Sequence, residues 1–189
     1  MKKYQIIYAD PPWEYKRKGK FCAGRYYSTM TVKQICDLPI NQISDERCLL
    51  FLWTTNSFLR QAFEVVDAWG FEYKTCLTWA KSHFGLGYWL WGQTEHCFLA
   101  VKGKYQRFKP PLGTTLINAP KSKHSKKPMA VRSLIERFPH ENKIELFARE
   151  RTLGWDVWGN EVESDIELKV EANTEPLSTD EVVLKLPTD

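Results

Sequence analysis

Four consecutive residues near the amino terminus, Asp10, Pro11, Pro12 and Trp13, could carry out chemistry on a nucleobase. Since proline makes up about 5% of residues in ordinary proteins, chance places this combination in a chain of similar length roughly once in several hundred proteins. The four residues follow the apolar run 4–9, which predicts a buried strand, and prolines are tolerated where a strand ends. A strand-ending turn accounts for the prolines. It does not account for the carboxylate and the aromatic ring beside them.

Methylation of an exocyclic amine does explain the combination. The amino lone pair of adenine is delocalised into the ring, and hydrogen bonds from its two N–H groups to a carboxylate and a carbonyl would localise it for attack on a methyl sulfonium. Asp10 supplies the carboxylate, and Pro11 supplies a carbonyl whose direction is held by the next proline. Trp13 offers a face for a base taken out of its stack, a contact worth about 1–3 kcal/mol. Ligands of α/β sheets bind at the carboxyl ends of the strands, where Asp10 falls.

The elements that position these residues are indicated by apolar runs between polar or turn segments. Continuous rather than alternating hydrophobicity predicts strands that are covered on both faces. Helix patterns lie between them, over residues 57–69, which Gly70 follows, and from Pro128 to Phe138. Strands that alternate with helices predict an α/β fold with a parallel or mixed sheet. The predicted strands are residues 4–9, 48–53, 94–101 and 143–148.

Three segments do not fit regular structure, and all are rich in basic or aromatic residues. They are residues 14–30, 82–92 and 103–127. Long loops in a compact domain are usually functional, and their lysines and arginines either form a solvated face or contact phosphates. Given the chemistry at Asp10, we interpret them as phosphate contacts. The basic residues are Lys16, Arg17, Lys18, Lys20 and Arg25 in the first loop and Lys104, Arg107, Lys109, Lys121 and Lys123 in the third.

Charge is divided unevenly along the 189 residues. Residues 1–160 contain 25 Lys and Arg against 14 Asp and Glu, whereas residues 161–189 contain 2 against 9. A basic body favours a polyanionic partner such as nucleic acid, although basic surfaces also occur on proteins that bind none. The composition becomes acidic and polar from residue 162, which predicts one domain over residues 1–161 and a disordered tail over residues 162–189.

Composition and apolar run lengths limit the class of protein. No apolar run approaches the roughly 20 residues of a membrane span, and Asp10 interrupts the first apolar stretch too early for a signal peptide. We therefore expect a cytoplasmic protein with no membrane partner. No spacing among the histidines and cysteines resembles a zinc site, so we expect no metal.

The Asp-Pro-Pro-Trp sequence at residues 10–13 resembles the catalytic motif of amino-methyltransferases that use S-adenosylmethionine. The chain as a whole is similar to the adenine-N6 family named after the seventy-kilodalton subunit of the eukaryotic mRNA adenosine methyltransferase. This resemblance is carried by a collinear series, which is more specific than any one motif. Its further segments are YSTM (27–30), LLFLWTT (49–55), LTWAK (77–81), TEHCFLAVKG (94–103), HSKKP (124–128), KIELFAR (143–149) and WGNE (158–161).

The resemblance implies the cofactor and the residues that hold it. Asp10 to Trp13 are expected to engage the target adenine and the reactive end of S-adenosylmethionine. Lys127 and Arg149 are similar to residues that hold polar groups of the cofactor. Asn160 and Glu161 take the place of an Asn-Gln pair that contacts its adenosine, and Glu161 departs from that pattern because glutamate accepts hydrogen bonds but cannot donate them.

On the substrate side, the resemblance places Tyr27 and Trp53 near the target pocket. Glu95 also matches the family, and it is either a functional carboxylate near the cofactor or a charged residue at a sheet edge. No G-x-G-x-x-G turn follows the first strand, so the cofactor is expected at a late strand that ends near Arg149. The expected architecture is a Rossmann-like methyltransferase fold, with a mostly parallel sheet flanked by helices and a circularly permuted motif order.

These observations predict an adenine-N6 methyltransferase that acts on DNA after flipping the target base. An RNA adenosine-N6 methyltransferase is the alternative with the same chemistry, because discrimination depends on contacts to a 2′-hydroxyl. A catalytically silent subunit that binds nucleic acid for a partner is the alternative of another class. Formation of a homodimer is left open.

Overall fold

Seven strands form a single sheet in the computed structural model, which describes residues 2–15, 28–85, 89–105, 109–121 and 126–168. The order across the sheet is β5-β3-β4-β2-β1-β6-β7. The strands are β1 (Tyr4–Ala9), β2 (Ser44–Thr55), β3 (Glu72–Gly85), β4 (Gly92–Lys102), β5 (Leu116–Ala119), β6 (Lys143–Leu146) and β7 (Asp156–Trp158). The helices are α1 (Val32–Cys36), α2 (Ile40–Ile43), α3 (Leu59–Ala68) and α4 (Met129–Ile135), with a 3-10 turn over Asn56–Phe58.

Among these seven strands, β4 alone runs against the others. β1 pairs in parallel with β2 and β6, β6 with β7, and β3 with β5, whereas β4 is antiparallel to both β2 and β3. Six strands therefore end at one edge of the sheet, where β4 begins, and we call this the carboxyl edge. The prediction of a mostly parallel α/β sheet is confirmed.

Both faces of the sheet are buried, as the continuous apolar runs predict. Ile7 of β1 belongs to the same core cluster as Val65 of α3, and its neighbour Ile6 points the other way, into a cluster with Val131 of α4. All four side chains are fully buried, and each contributes about 1.5–3 kcal/mol relative to an exposed position. The strand that carries Asp10 is thus fixed from both sides.

β5 and the last four residues of β3 lie where the sequence predicts irregular structure. β3 continues through residues 82–85, and β5 lies within the segment 103–127. β5 has only four residues and forms because residues 78–81 of β3 pair with residues 116–119 in parallel. Such pairing depends on a partner that is distant in sequence, so the local apolar pattern does not reveal it.

The late strand is shorter than predicted. Residues 143–148 are predicted as a strand, but β6 ends at Leu146 because Phe147 has a φ of 61°. A left-handed backbone at a bulky residue is uncommon, and such conformations concentrate at functional sites.

Part of the predicted tail packs against the body. Asp165 accepts a hydrogen bond from the backbone N–H of Val157 at 2.8 Å and pairs with Arg151 at 2.6 Å. Ile166 and Leu168 pack against the core cluster that contains Ile7. Residues 165–168 of the predicted tail are therefore part of the packed domain. The rest of the predicted tail, residues 169–189, lies outside the described residues. No helix within the described ranges is long and apolar enough to cross a membrane.

Candidate active site

The carboxyl edge brings together polar residues from five strands around one cavity of about 460 Å³. Its volume is in the range of ligand-binding pockets. All the predicted catalytic and cofactor-binding residues line it, although they come from distant parts of the chain. The lining residues are Asp10, Pro11, Pro12, Trp13, Tyr15, Ser28, Met30, Thr55, Glu95, Lys127, Phe147, Ala148, Arg149, Trp158, Gly159, Asn160 and Glu161.

A second cavity of about 330 Å³ adjoins the first. It extends towards α4 and is lined by Tyr8, Arg132 and Glu145 among others. Asp10 and Lys127 line both cavities. The carboxylate of Asp10 therefore stands where two bound groups could meet.

A chain of alternating charges holds Asp10 in place. Lys127 Nζ lies 2.7 Å from Asp10 Oδ2 and 3.2 Å from Glu95 Oε2. Lys81 Nζ lies 2.5 Å from the other oxygen of Glu95. Because β3 and β4 place Trp79 opposite Glu95, Lys81 follows two residues later on the same side of its strand. Charges therefore alternate from Lys81 through Glu95 and Lys127 to Asp10. Glu95 lies between two lysines, and Lys127 lies between two carboxylates.

The cleft changes the proton affinity of these groups in different directions. Burial raises the pKa of Asp10, and Lys127 only partly opposes this rise. Burial would also raise the pKa of Glu95, but Lys127 and Lys81 together hold it below the usual value. Burial would lower the pKa of Lys127, yet Asp10 and Glu95 outweigh it and raise that pKa, so the ammonium stays charged. Of the two carboxylates, Asp10 is thus easier to protonate than Glu95.

The backbone of the Pro-Pro turn is held by its own hydrogen bonds. The N–H of Trp13 donates to the carbonyl of Pro11 at 2.9 Å, and the N–H of Met30 donates to the carbonyl of Pro12 at 2.8 Å. Each carbonyl oxygen has a second lone pair. The Pro11 carbonyl that is predicted to receive the amine therefore keeps one acceptor position.

Trp13 lines the cavity, but little of its ring surface is exposed. Its ring stacks on Phe58 with centroids 5.2 Å apart, and its Nε1 donates to the carbonyl of Trp53 at 3.2 Å. Only 5% of its surface is exposed. The predicted stacking of a target base on Trp13 would have to use the little surface that Phe58 leaves uncovered.

Trp53, which the resemblance places near the target pocket, does not itself line either cavity, but it contacts Trp13 and Lys127, which line the larger one. Its side chain is 1% exposed, and its Nε1 donates to the hydroxyl of Tyr8 at 2.8 Å. Lys127 Nζ lies 5.3 Å from the ring centroid. The buried Trp53 ring thus makes a cation–π contact with Lys127. The predicted substrate residues Tyr27, Lys16, Arg17, Lys18 and Arg25 lie outside the described residues.

In the same cavity, the segments after β6 and β7 meet. Arg149 Nε pairs with Glu161 Oε1 at 2.8 Å, and the ring of Phe147 contacts Trp158 edge-on. The N–H of Ala148 donates to the carbonyl of Trp158 at 3.0 Å. These contacts align two adjacent strand ends, so that Arg149 and Glu161 reach the same cavity.

Comparison with known proteins explains this arrangement. Residues 4–161 match the family described as MT-A70. The chain belongs to the MT-A70 family. The recognition made from the motif series is confirmed, and so is the expected Rossmann-like methyltransferase fold.

The relatives include proteins of different length. The Type II methyltransferase M.MunI of Mycoplasma sp is 35% identical over 186 residues, covering 85% of this chain and 78% of that protein. The N(6)-adenosine-methyltransferase catalytic subunit METTL3 of Homo sapiens is 31% identical over 172 residues, covering 85% of this chain and 28% of that protein. This chain thus spans most of M.MunI but less than a third of METTL3.

The methyl donor of MT-A70 methyltransferases, S-adenosylmethionine, fits the larger cavity by its chemistry. The donor carries an ammonium, a carboxylate, a ribose diol and an aromatic base. Arg149, Glu161 and Asn160 offer charged and amide partners at one end, and the Phe147 and Trp158 rings offer apolar surface beside them. No group of three or more His, Cys, Asp and Glu side chains within the described ranges could hold a metal ion.

Two features of this site are difficult to predict from the sequence, namely the contact of Lys81 with Glu95 and the left-handed backbone of Phe147. Lys81 ends the LTWAK segment, and only the strand register shows that it meets Glu95. The left-handed Phe147 has no sequence signal, because such a backbone is rarely adopted by a bulky residue. Glu95, for which both interpretations were open, lines the cavity with Asp10.

Gly159 is required by a close approach of the two strand ends, and we expect Gly159→Ala to weaken cofactor binding. A Cβ here would lie 2.3 Å from the carbonyl oxygen of Ala148, so the backbone would have to shift and carry Asn160 with it. Losing such polar contacts costs about 1–3 kcal/mol, which predicts roughly a tenfold or larger rise in the Kd. Calorimetric titration with S-adenosylmethionine measures this.

The matched control is Gly85→Ala, since a Cβ at Gly85 meets its nearest neighbour at an ordinary 3.6 Å. We expect that variant to bind the cofactor normally. An unchanged Kd in Gly159→Ala would contradict the placement of the cofactor at the ends of β6 and β7.

Proposed function

We propose that this protein transfers the methyl group of S-adenosylmethionine to the exocyclic N6 amine of adenine in DNA, with the target base taken out of its stack. The observation that carries the proposal is the position of Asp10. It is held by Lys127 at 2.7 Å, at the end of a buried strand and at the junction of two cavities. Membership of the MT-A70 family and similarity to the Type II methyltransferase M.MunI support it.

The carboxylate of Asp10 accepts a hydrogen bond from the amine and localises its lone pair. The free lone pair of the Pro11 carbonyl accepts the second N–H. S-adenosylmethionine would supply the electrophilic methyl group: the sulfur–methyl bond would break as the nitrogen–methyl bond forms, S-adenosylhomocysteine would leave with the electron pair on sulfur, and the cationic nitrogen would then lose the proton that faces Asp10. Hydrogen bonds to both N–H groups favour the transition state, in which the nitrogen becomes positively charged, more than the neutral ground state.

The neighbouring residues keep Asp10 ready for this role. Lys127 fixes the carboxylate and favours its ionised form, and Glu95 with Lys81 fixes Lys127. Side chains held by several contacts lose little further freedom when the substrate binds, which lowers the barrier. Arg149 and Glu161 line the same cavity and bind polar groups of the cofactor.

An RNA substrate is the second candidate. It is favoured by the similarity to METTL3, which is named as an N(6)-adenosine-methyltransferase. The same Asp10 chemistry would serve both substrates, because the exocyclic amine is identical. The basic segments that would contact a 2′-hydroxyl or a phosphate include residues 16–27, outside the described residues.

Transfer of tritium from labelled S-adenosylmethionine onto matched DNA and RNA pools tests the proposal. We expect label in the DNA, and digestion to nucleosides should place it on N6-methyladenine. Label in RNA alone would move the assignment to the second candidate. If neither pool is labelled while the protein binds the cofactor, the proposed reaction is wrong.

We expect Arg149→Ala to raise the Kd for S-adenosylmethionine without moving the fold. Arg149 pairs with Glu161 within the cavity, and its loss leaves a charged or hydroxyl group of the ligand with one partner fewer. The expected cost is about 1–3 kcal/mol, or roughly a 5- to 150-fold weaker affinity. Calorimetry measures the Kd. Arg151→Ala is the control, because Arg151 pairs with Asp165 and does not line the cavity.

A further inference from the structure

Two of the eight tryptophans in the chain are exposed to solvent. Trp89 is 91% exposed and Trp91 is 68% exposed, whereas Trp13, Trp53, Trp69, Trp79 and Trp155 are at most 5% exposed. Leu90 between them is 85% exposed. Exposure of such large apolar surface is unfavourable in water, and contiguous patches of this kind mark interaction sites.

The exposed side chains lie at the tip between β3 and β4. Gly85 pairs with Gly92 at the base of this tip, and Phe84 stacks on Trp91 with ring centroids 4.2 Å apart and an angle of 10° between the planes. Phe84 is itself 59% exposed. We call Phe84, Trp89, Leu90 and Trp91 the aromatic tip. It presents a stack of flat rings with exposed surface.

The aromatic tip projects from the carboxyl edge, on the same side as the active site. Trp91 precedes Glu95 by four residues, which is about 13 Å along a strand. Glu95 contacts Lys127, and Lys127 contacts Asp10. A stacked nucleic-acid strand advances by about 3.4 Å per nucleotide, so the stretch from Trp91 to Glu95 spans roughly four nucleotides, and a strand whose target base lies at Asp10 can reach the tip with bases a few nucleotides away.

From this placement we propose that the aromatic tip is a stacking site for unpaired nucleobases of the substrate strand that flank the target adenine. The proposal rests on the proposed function, because it requires a nucleic-acid substrate at Asp10. Every base has a flat face, so aromatic rings such as Phe84 and Trp91 bind unpaired bases with little sequence preference. A base taken out of a duplex leaves its neighbours less well stacked, and the tip offers them a new partner.

A positive charge next to the aromatic tip is placed to bind the phosphates of such a strand. Lys81 of β3 pairs in register with Ala119 of β5, and the exposed Lys121 follows two residues later. Lys121 is therefore at the carboxyl edge beside the base of the tip. Proteins that bind single-stranded nucleic acid usually combine aromatic rings that stack on the bases with positively charged side chains that contact the phosphates.

The test compares variants of Trp91 in binding a short single-stranded DNA of mixed sequence, measured by fluorescence anisotropy. We expect Trp91→Leu to weaken binding about 5- to 100-fold, since leucine keeps the apolar volume but removes the aromatic face. Trp91→Phe should retain most of the affinity. Leu153→Ala is the control, because Leu153 is fully exposed outside the tip.

Salt dependence separates stacking from charge. Stacking releases no counterions, so Trp91→Leu should leave the slope of log affinity against log salt unchanged. Lys121→Gln should reduce that slope by about 0.7, the contribution of one phosphate contact to a single strand. Affinity for S-adenosylmethionine should be normal in all these variants.

If Trp91→Leu and the wild-type protein bind DNA with equal affinity, the inference is overturned. A loss of affinity that accompanies a smaller mass in sedimentation would also overturn it, because the tip would then join two copies of the chain. If the unchanged protein binds DNA but transfers no methyl group, the proposed function fails, and the Trp91 affinities still decide the inference. If it methylates DNA and Trp91→Leu binds normally, only the inference fails.

Discussion

The Asp10→Asn variant should bind S-adenosylmethionine and fold normally but lose methyl transfer. Asparagine has the same shape as aspartate, but it carries no charge and offers the amine a single, weaker acceptor. Removing one preorganised group that stabilises charge in the transition state lowers kcat about 10²–10³-fold, and the charge of Asp10 should place its loss at the upper end. The fold should survive because Lys127 keeps its contact with Glu95.

Single-turnover transfer of tritium to DNA measures the rate, and calorimetry measures cofactor binding in the same preparation. The matched control is Asp156→Asn at the start of β7, on the opposite edge of the sheet. Asp156 accepts hydrogen bonds from Lys2 at 2.7 Å and Tyr4 at 2.6 Å, so its loss affects stability rather than chemistry. Near-normal turnover in Asp10→Asn would exclude Asp10 as the group that activates the amine.

The sequence predicts the parts of the site that lie at the ends of buried strands. Asp10 and Arg149 follow continuous apolar runs, and two such runs end at a common edge of the sheet when their strands are parallel, as β1 and β6 are. The prediction that the cofactor binds at a late strand rests on the missing glycine-rich turn after the first strand. These statements use only local patterns and the known direction of parallel strands.

The rest depends on contacts between segments that are distant in sequence. Lys81 reaches Glu95 because of the register of β3 against β4, and Lys127 reaches Asp10 because the segment before α4 returns to the end of β1. The resemblance implies that Lys127 holds polar groups of the cofactor, and the structure adds that its ammonium contacts two carboxylates. Trp53 was placed near the pocket for the same reason, and its burial follows from its central strand.

Replacement of Lys127 should change the pH dependence of the reaction. In the unchanged protein, burial raises the pKa of Asp10, and activity should fall as the pH drops through this raised value because the amine needs the ionised carboxylate. Lys127 opposes the rise, and Glu95 adds to it. In Lys127→Gln the two carboxylates face each other without a cation between them, so the pKa of Asp10 should increase further.

The rate of Lys127→Gln should therefore fall below that of the wild-type protein, and the acid limb of its pH profile should move to higher pH, since each unit by which the pKa exceeds the assay pH removes up to a factor of ten of the ionised form. Part of the rate should return at higher pH. Lys127→Arg should keep the original profile because it keeps the charge. A pH–rate series for kcat under saturating cofactor measures these changes.

The decisive comparison adds Glu95→Gln to Lys127→Gln. If Lys127 acts on Asp10 through charge, the second substitution removes the remaining repulsion, and the double variant should be faster at neutral pH than Lys127→Gln alone. A second substitution in an active site usually lowers the activity further. An increase in rate would therefore be specific to an interaction between the charges of Asp10, Lys127 and Glu95. If Lys127 served only to bind the cofactor, the single variant would show a higher KM for S-adenosylmethionine with an unchanged pH profile, and Glu95→Gln would not restore the rate.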